Sequence, residues 1–171
     1  MAHRIDGGRL IDRTKPIGFT FNGRKLTGYA GDTLASALLA NDEVMVGRSF
    51  KYHRPRGIMA SGAEEPNALF GVGEGARFEP NTRATTTELV EGMTLASQNH
   101  WPSLKYDVGA VNAAVASLAP VFPAGFYYKT FMYPRAAWKH VYEPLIRRAA
   151  GLGQPTAGKD PDTYEHLHAF A

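Results

Sequence analysis

An α+β fold is predicted for this chain of 171 residues by three features of its first half. Ile17-Gly18-Phe19-Thr20-Phe21 alternates with the period of a half-buried strand. Asn22-Gly23 follows at once, the dipeptide best suited to a two-residue type I′ turn, and Arg24 to Ala30 supplies the return strand. Gly31-Asp32-Thr33 then breaks the strand, and Asp32 or Thr33 can cap a helix running from Thr33 to Ala40.

The later elements follow from the same local rules. In the first helix Leu34 and Leu38, with Ala37 or Leu39, form the inward face. Strand, hairpin, strand, helix and long loop is the opening of a β-grasp fold. Ala68 to Val72 is apolar and predicts a third strand. Arg83 to Leu89, with its run of β-branched threonines, predicts a fourth. Gly71, Gly73, Gly75, Pro80 and Asn81 make the link between them rich in turns. The glycines of residues 71–75 lack the G-x-G-x-x-G spacing, and no helical pattern follows them, so they read as a turn.

From residue 92 the character changes. Val108, Val111, Val115 and Leu118 recur at helical spacing, and Pro120 and Pro123 end that helix. Residues 121–134 hold six aromatics in fourteen positions, which calls for packing on the small domain or at an interface. Trp138, Val141, Tyr142, Leu145, Ile146 and Ala149 then form one apolar helical stripe. Pro134 suits its first turn, and Pro144 should kink it or end its first half at Glu143. Arg147 and Arg148 suit the C-terminal end of the dipole, and Gly151 or Gly153 the stop. The expected organisation is a lead-in over 1–16, a β-grasp domain over 17–92, an aromatic-rich helical extension over 93–153 and a linker over 154–171.

Composition narrows the function classes. At 44% hydrophobic and 20% charged the chain is of ordinary globular type. No apolar run approaches the ~20 residues of a membrane span, and the first residues lack a signal-peptide stretch, so a cytoplasmic setting is expected. There is no cysteine, hence no disulfide framework and no thiolate metal site. Six scattered histidines, among them His166-x-His168, offer no metal-ligand spacing. Net charge is only +3, yet Arg48, Lys51, Arg54 and Arg56 fall within nine residues, interleaved with Phe50, Tyr52 and His53. Such a cluster serves either an anion or an acidic protein surface.

The loop Arg56-Gly57-Ile58-Met59-Ala60-Ser61-Gly62-Ala63-Glu64-Glu65-Pro66-Asn67-Ala68-Leu69-Phe70 resembles the cluster loop of a plant-type [2Fe-2S] ferredoxin. That loop spaces its cysteines C-x4-C-x2-C so that thiolates converge on two irons from one turn. Here the matching positions are Ala60, Glu65 and Ala68, and none is a thiolate. The resemblance therefore implies a ferredoxin-like domain without a cluster. Glu64 and Glu65, adjacent in a loop, make a poor acid–base pair and are expected to answer the nearby arginines.

A longer set of segments resembles one family. Residues 48–57 (Arg-Ser-Phe-Lys-Tyr-His-Arg-Pro-Arg-Gly), Gly62 to Asn67, Glu79 to Ala84, Ser97-Gln98-Asn99 and Trp101 to Lys105 match in order. Asp107 to Asn112, Phe122 to Phe131, Tyr142-Glu143-Pro144, Ile146 to Gly153 and Tyr164-Glu165-His166 continue the match. Together they resemble the N-terminal region of the α subunit of heterotetrameric sarcosine oxidase. The resemblance implies a dinucleotide-binding region beyond the position of Ala171, with a folate-binding region later. It implies an enzyme complex that oxidises sarcosine to glycine, hydrogen peroxide and formaldehyde or methylenetetrahydrofolate, using FAD, FMN, NAD and tetrahydrofolate. Its partners would be the rest of the α subunit and the β, γ and δ subunits.

Within that frame this chain is expected to be an assembly module without catalytic or metal-ligating residues and to bind no cofactor alone. If the basic loop faces a flavin or nucleotide phosphate, Lys51, Arg54 and Arg56 are its candidates, with Lys129, flanked by Tyr127, Tyr128 and Phe131, as a further one. The alternative is a stand-alone anion- or nucleic-acid-binding β-grasp module acting through Arg48 to Arg56. Against it, the aromatics there lack the sheet pattern of an RNA-binding surface.

Overall fold

The computed structural model describes residues 4–5, 9–118, 131 and 133–163. Strands β1 (Asp12–Phe21) and β2 (Arg24–Ala30) form the expected hairpin. Asn22 and Gly23 have φ of 48° and 79°, the pair of positive values that a type I′ turn needs. The register is regular from Phe21↔Arg24 to Pro16↔Tyr29 and slips beyond Pro16, which has no N–H to donate. Helix α1 (Leu34–Ala40) follows. Thr33 is its cap, in a reciprocal box: the Thr33 hydroxyl accepts from Ser36 N–H and the Ser36 hydroxyl accepts from Thr33 N–H. Leu34, Ala37 and Leu38 face inward while Leu39 is exposed.

A five-stranded sheet in the order β2-β1-β7-β5-β6 carries the core, with β5 at Leu69–Val72, β6 at Glu79–Arg83 and β7 at Thr94–Ser97. β1 and β7 run parallel, and the other neighbouring pairs are antiparallel. Phe19, Phe21, Phe70, Leu89 and Leu95 pack beneath α1, with Phe21 and Phe70 ring centroids 5.3 Å apart. A separate short pair, β3 (Gly47–Arg48) and β4 (Pro55–Arg56), carries the basic loop.

Two strand assignments differ from the sequence reading. The strand predicted over residues 83–89 is β6, and it ends where that prediction began. The Thr86 and Thr87 hydroxyls turn back to donate to the Arg83 carbonyl, at 3.4 and 2.8 Å, so the threonines close a turn. β7 was not foreseen, and it places the sheet's central strand beyond residue 92.

After β7 the chain forms a 3-10 turn at Val108–Ala110 and helix α2 (Val111–Leu118). Val108, Val111 and Val115 recur at helical spacing as expected, yet all three are exposed. The aromatic residues 119–130 lie outside the described residues. Further on, a 3-10 turn at Arg135–Ala137 and a π-helical turn at Trp138–Tyr142 lead into α3 (Glu143–Ala149). Pro144 thus starts a new helix in the first turn, where no N–H is required. α3 ends in a paired hydrogen-bond motif, Leu152 N–H to Arg147 C=O and Gly151 N–H to Arg148 C=O, both 3.1 Å, with Gly151 at φ 71°.

The segment after α3 is pinned to the sheet. Asn81 grips Gly153 from both sides, its Oδ1 accepting from Gly153 N–H at 3.0 Å and its Nδ2 donating to Gly153 C=O at 3.2 Å. Arg77 Nε donates to Asp162 at 2.8 Å.

Candidate functional site

The loop between β4 and β5 is organised around one side chain. Glu65 is 1% exposed. Its Oε2 accepts from Met59 N–H and Ala60 N–H, both at 2.7 Å. Its Oε1 accepts from Asn67 N–H at 2.7 Å and Ala68 N–H at 3.3 Å. Burial pushes the carboxyl pKa up, and the four N–H donors outweigh it, so the group is held below the ordinary glutamate value. The arginines expected to answer Glu65 therefore do not hold its carboxylate. Arg83 Nε reaches only its backbone carbonyl, at 3.3 Å. Glu64 is exposed and accepts from Gly62 N–H at 3.2 Å.

The loop's rim is fixed by other contacts. Thr85 donates its hydroxyl to Gly62 C=O at 2.7 Å, Asn67 Nδ2 donates to Gly57 C=O at 3.0 Å, and Ala84 N–H donates to Ala68 C=O at 2.9 Å. Thr85 is buried at 6% exposure and was not singled out in the sequence, because nothing local ties it to a loop 23 residues earlier.

The donor set bears directly on an iron–sulfur cluster. The three positions spaced for cluster ligands hold Ala60, Glu65 and Ala68, and Ala68 is fully buried. Backbone N–H groups that could face an anionic cluster are already bonded to an internal carboxylate. The residues present do not fit a cluster.

The basic loop divides into two kinds of residue. Arg48 is spent inside the fold: Nε donates to Leu104 C=O at 2.9 Å, Nη1 to His53 C=O at 2.7 Å and Nη2 to Lys105 C=O at 3.1 Å. Its guanidinium also lies 3.6 Å from the buried Asp107 carboxylate. Asp107 binds His53 Nδ1 at 2.7 Å and Trp101 N–H at 2.8 Å. Burial raises its pKa, and these donors bring it below the ordinary aspartate value. Gly109 allows this junction, since a Cβ there would lie 2.3 Å from His53 Nδ1.

Among the sequence candidates, Lys51 Nζ sits 4.9 Å from the Tyr52 ring centroid and Arg54 lies over the same ring at 5.0 Å. Arg56, in β4, is exposed and lines a cleft of about 400 Å³ with Phe50, Asn67 and Gln98. Lys51, Arg54 and Arg56 are thus not gathered on one cleft, and Lys129 lies outside the described residues. The cleft's far wall is Ala150, Gly151 and Leu152, the turn that ends α3. Among the described residues no group of histidine or acidic side chains could hold a metal ion, and no helix is long and apolar enough to cross a membrane.

A model of the 2Fe-2S iron-sulfur cluster binding domain matches residues 14–100. The chain is 59% identical over 164 residues to sarcosine oxidase subunit alpha of Rhizobium meliloti (strain 1021), covering 96% of this chain and 16% of that protein. It is 40% identical over 89 residues to the subunit alpha of Corynebacterium sp. (strain U-96), covering 50% of this chain and 9% of that one. The chain therefore spans a small part of the relatives it matches. A crystal structure of L-proline dehydrogenase from P. horikoshii overlaps 54% of this chain and 17% of its own at 24% identity and a TM-score of 0.42, too distant to bear on function. The chain belongs to the 2Fe-2S iron-sulfur cluster binding domain family, with Ala60, Glu65 and Ala68 at the positions of the C-x4-C-x2-C spacing.

Proposed function

We propose that this chain is an assembly module of a sarcosine oxidase α subunit, within a flavin-dependent complex that oxidises sarcosine to glycine. The observation that supports the reading is Glu65 in the loop, whose carboxylate takes up the backbone donors that an anionic cluster would face. The identity to subunit alpha of Rhizobium meliloti supports it. Hydrogen peroxide and formaldehyde or methylenetetrahydrofolate would be the other products. FAD, FMN, NAD and tetrahydrofolate would be held by the complex, and no catalytic residue is assigned to this chain. The partners would be the remainder of an α subunit and β, γ and δ subunits, in the cytoplasm.

Arg56 at the cleft beside the loop is the candidate for touching a flavin or nucleotide phosphate. Lys51 and Arg54, stacked on Tyr52, and Lys129 are the other cations of that proposal. The test is purification from the native host followed by native mass spectrometry and a visible spectrum. Larger chains co-purifying with a flavin band are expected. A colourless 18.6 kDa monomer would overturn the assembly reading, and strongly salt-dependent nucleic-acid binding would replace it with a stand-alone module.

A further inference from the structure

The misfit between the cluster spacing and the residues in the loop has a specific form. Four backbone N–H groups, from Met59 and Ala60 on one side and Asn67 and Ala68 on the other, converge on two carboxylate oxygens. Converging N–H groups form a concavity with positive potential whatever anion fills it. We infer that this loop is a backbone anion cradle whose resident ligand is the chain's own Glu65 carboxylate, and that shortening Glu65 opens the cradle to a small free carboxylate.

Two observations support the cradle as separate from the side chain that fills it. The loop's rim is tied by Thr85 to Gly62, Asn67 to Gly57 and Ala84 to Ala68, none of which involves the Glu65 carboxylate. The groups presented inward are donors arranged two per oxygen, which selects a planar anion with two acceptor oxygens over a cation or a neutral amide. The inference stands independently of whether the chain assembles into an oxidase.

The experiment compares Glu65→Ala, Glu65→Gln and the unaltered chain in urea unfolding, with sodium acetate against sodium chloride at matched ionic strength. For Glu65→Ala, acetate at one hundred times its dissociation constant should raise the folded-to-unfolded ratio about a hundredfold over chloride. The unaltered chain and Glu65→Gln, whose cradles are filled, should show no difference between the salts. In Glu65→Ala, amide resonances of Met59, Ala60, Asn67 and Ala68 should move together on acetate addition. Equal responses in all three proteins would overturn the inference by making the acetate effect generic. So would a Glu65→Ala chain that stays unfolded at every acetate concentration, because the cradle would then depend on the tether.

Discussion

Replacing Glu65 by glutamine keeps the shape of the side chain and removes one acceptor oxygen. Each carboxylate oxygen now serves two N–H groups, Oε2 those of Met59 and Ala60 and Oε1 those of Asn67 and Ala68. An amide has one oxygen, so whichever way it turns, two backbone donors face an NH2 group. Hydrogen bonds to a charged group contribute about 1.5–3 kcal/mol each, and three of the four bonds here are only part-buried, which lowers the loss. A destabilisation of roughly 2–4 kcal/mol is expected, a large share of the ~5–15 kcal/mol that holds a domain together. Urea unfolding at neutral pH should show a lower midpoint with an unchanged slope. Glu64→Gln is the control, since Glu64 is exposed and holds one N–H at 3.2 Å; it should shift stability by less than about 0.5 kcal/mol. A Glu65→Gln chain as stable as the Glu64→Gln control would refute the claim that the carboxylate organises the loop.

Three further outcomes follow from other contacts. Asp32, Glu65 and Asp107 all have depressed carboxyl pKa values in the fold, so their contribution is complete above the ordinary carboxylate range and lost as pH falls through the folded values. Burial also holds the His100 imidazole below its ordinary value, so the unfolded chain takes up that proton first; the urea midpoint should decline slightly from about pH 7 to 5 and drop further below about pH 4, and a midpoint that rises on acidification would contradict it. Asn81→Gly keeps the backbone at its φ of 62° while releasing Gly153, so hydrogen exchange over residues 151–158 should quicken about tenfold with the β1–β7 pairing unaffected; equal exchange in both proteins would count against the clamp. Gly109→Ala brings a Cβ to 2.3 Å from His53 Nδ1 and should cost about 1–3 kcal/mol while separating His53 from Asp107; an undisturbed His53 imidazole spectrum would sink it.

What the sequence disclosed and what it hid divides by range. The hairpin, the Thr33 cap and the break before Pro144 depend on neighbours within four residues, and each was legible. β7 was not, because Thr94–Ser97 is four residues long and becomes a strand through parallel pairing with β1, some 70 residues away. The basic loop was read as an anion or surface cluster, whereas Arg48 spends its donors on the carbonyls of His53, Leu104 and Lys105. Asp107, the carboxylate beneath it, has its partner His53 54 residues away and leaves no local signal. The cluster spacing pointed to Glu65 by position. Its role stayed hidden because its donors are backbone N–H groups, which every residue carries.

Among the described residues, Glu65 is one of three buried carboxylates that work alike. Asp32, fully buried, collects Tyr29 N–H at 2.9 Å, the Ser36 hydroxyl at 2.6 Å and the Arg4 guanidinium. Asp107, with a side chain 1% exposed, collects Trp101 N–H, His53 and the edge of Arg48. Each sits where regular structure gives out: the turn from β2 into α1, the loop before β5, and the junction between the basic loop and residues 98–107. A carboxylate has about four acceptor sites and can gather donors from several directions, whereas an amide or hydroxyl offers fewer acceptors. For each, burial disfavours the charge and the gathered donors overcome it, as the lowered pKa values require. The carboxylate in the loop with cluster spacing is therefore the same device that this fold uses at its other irregular corners, and it accounts for a loop whose shape is set by its own side chain.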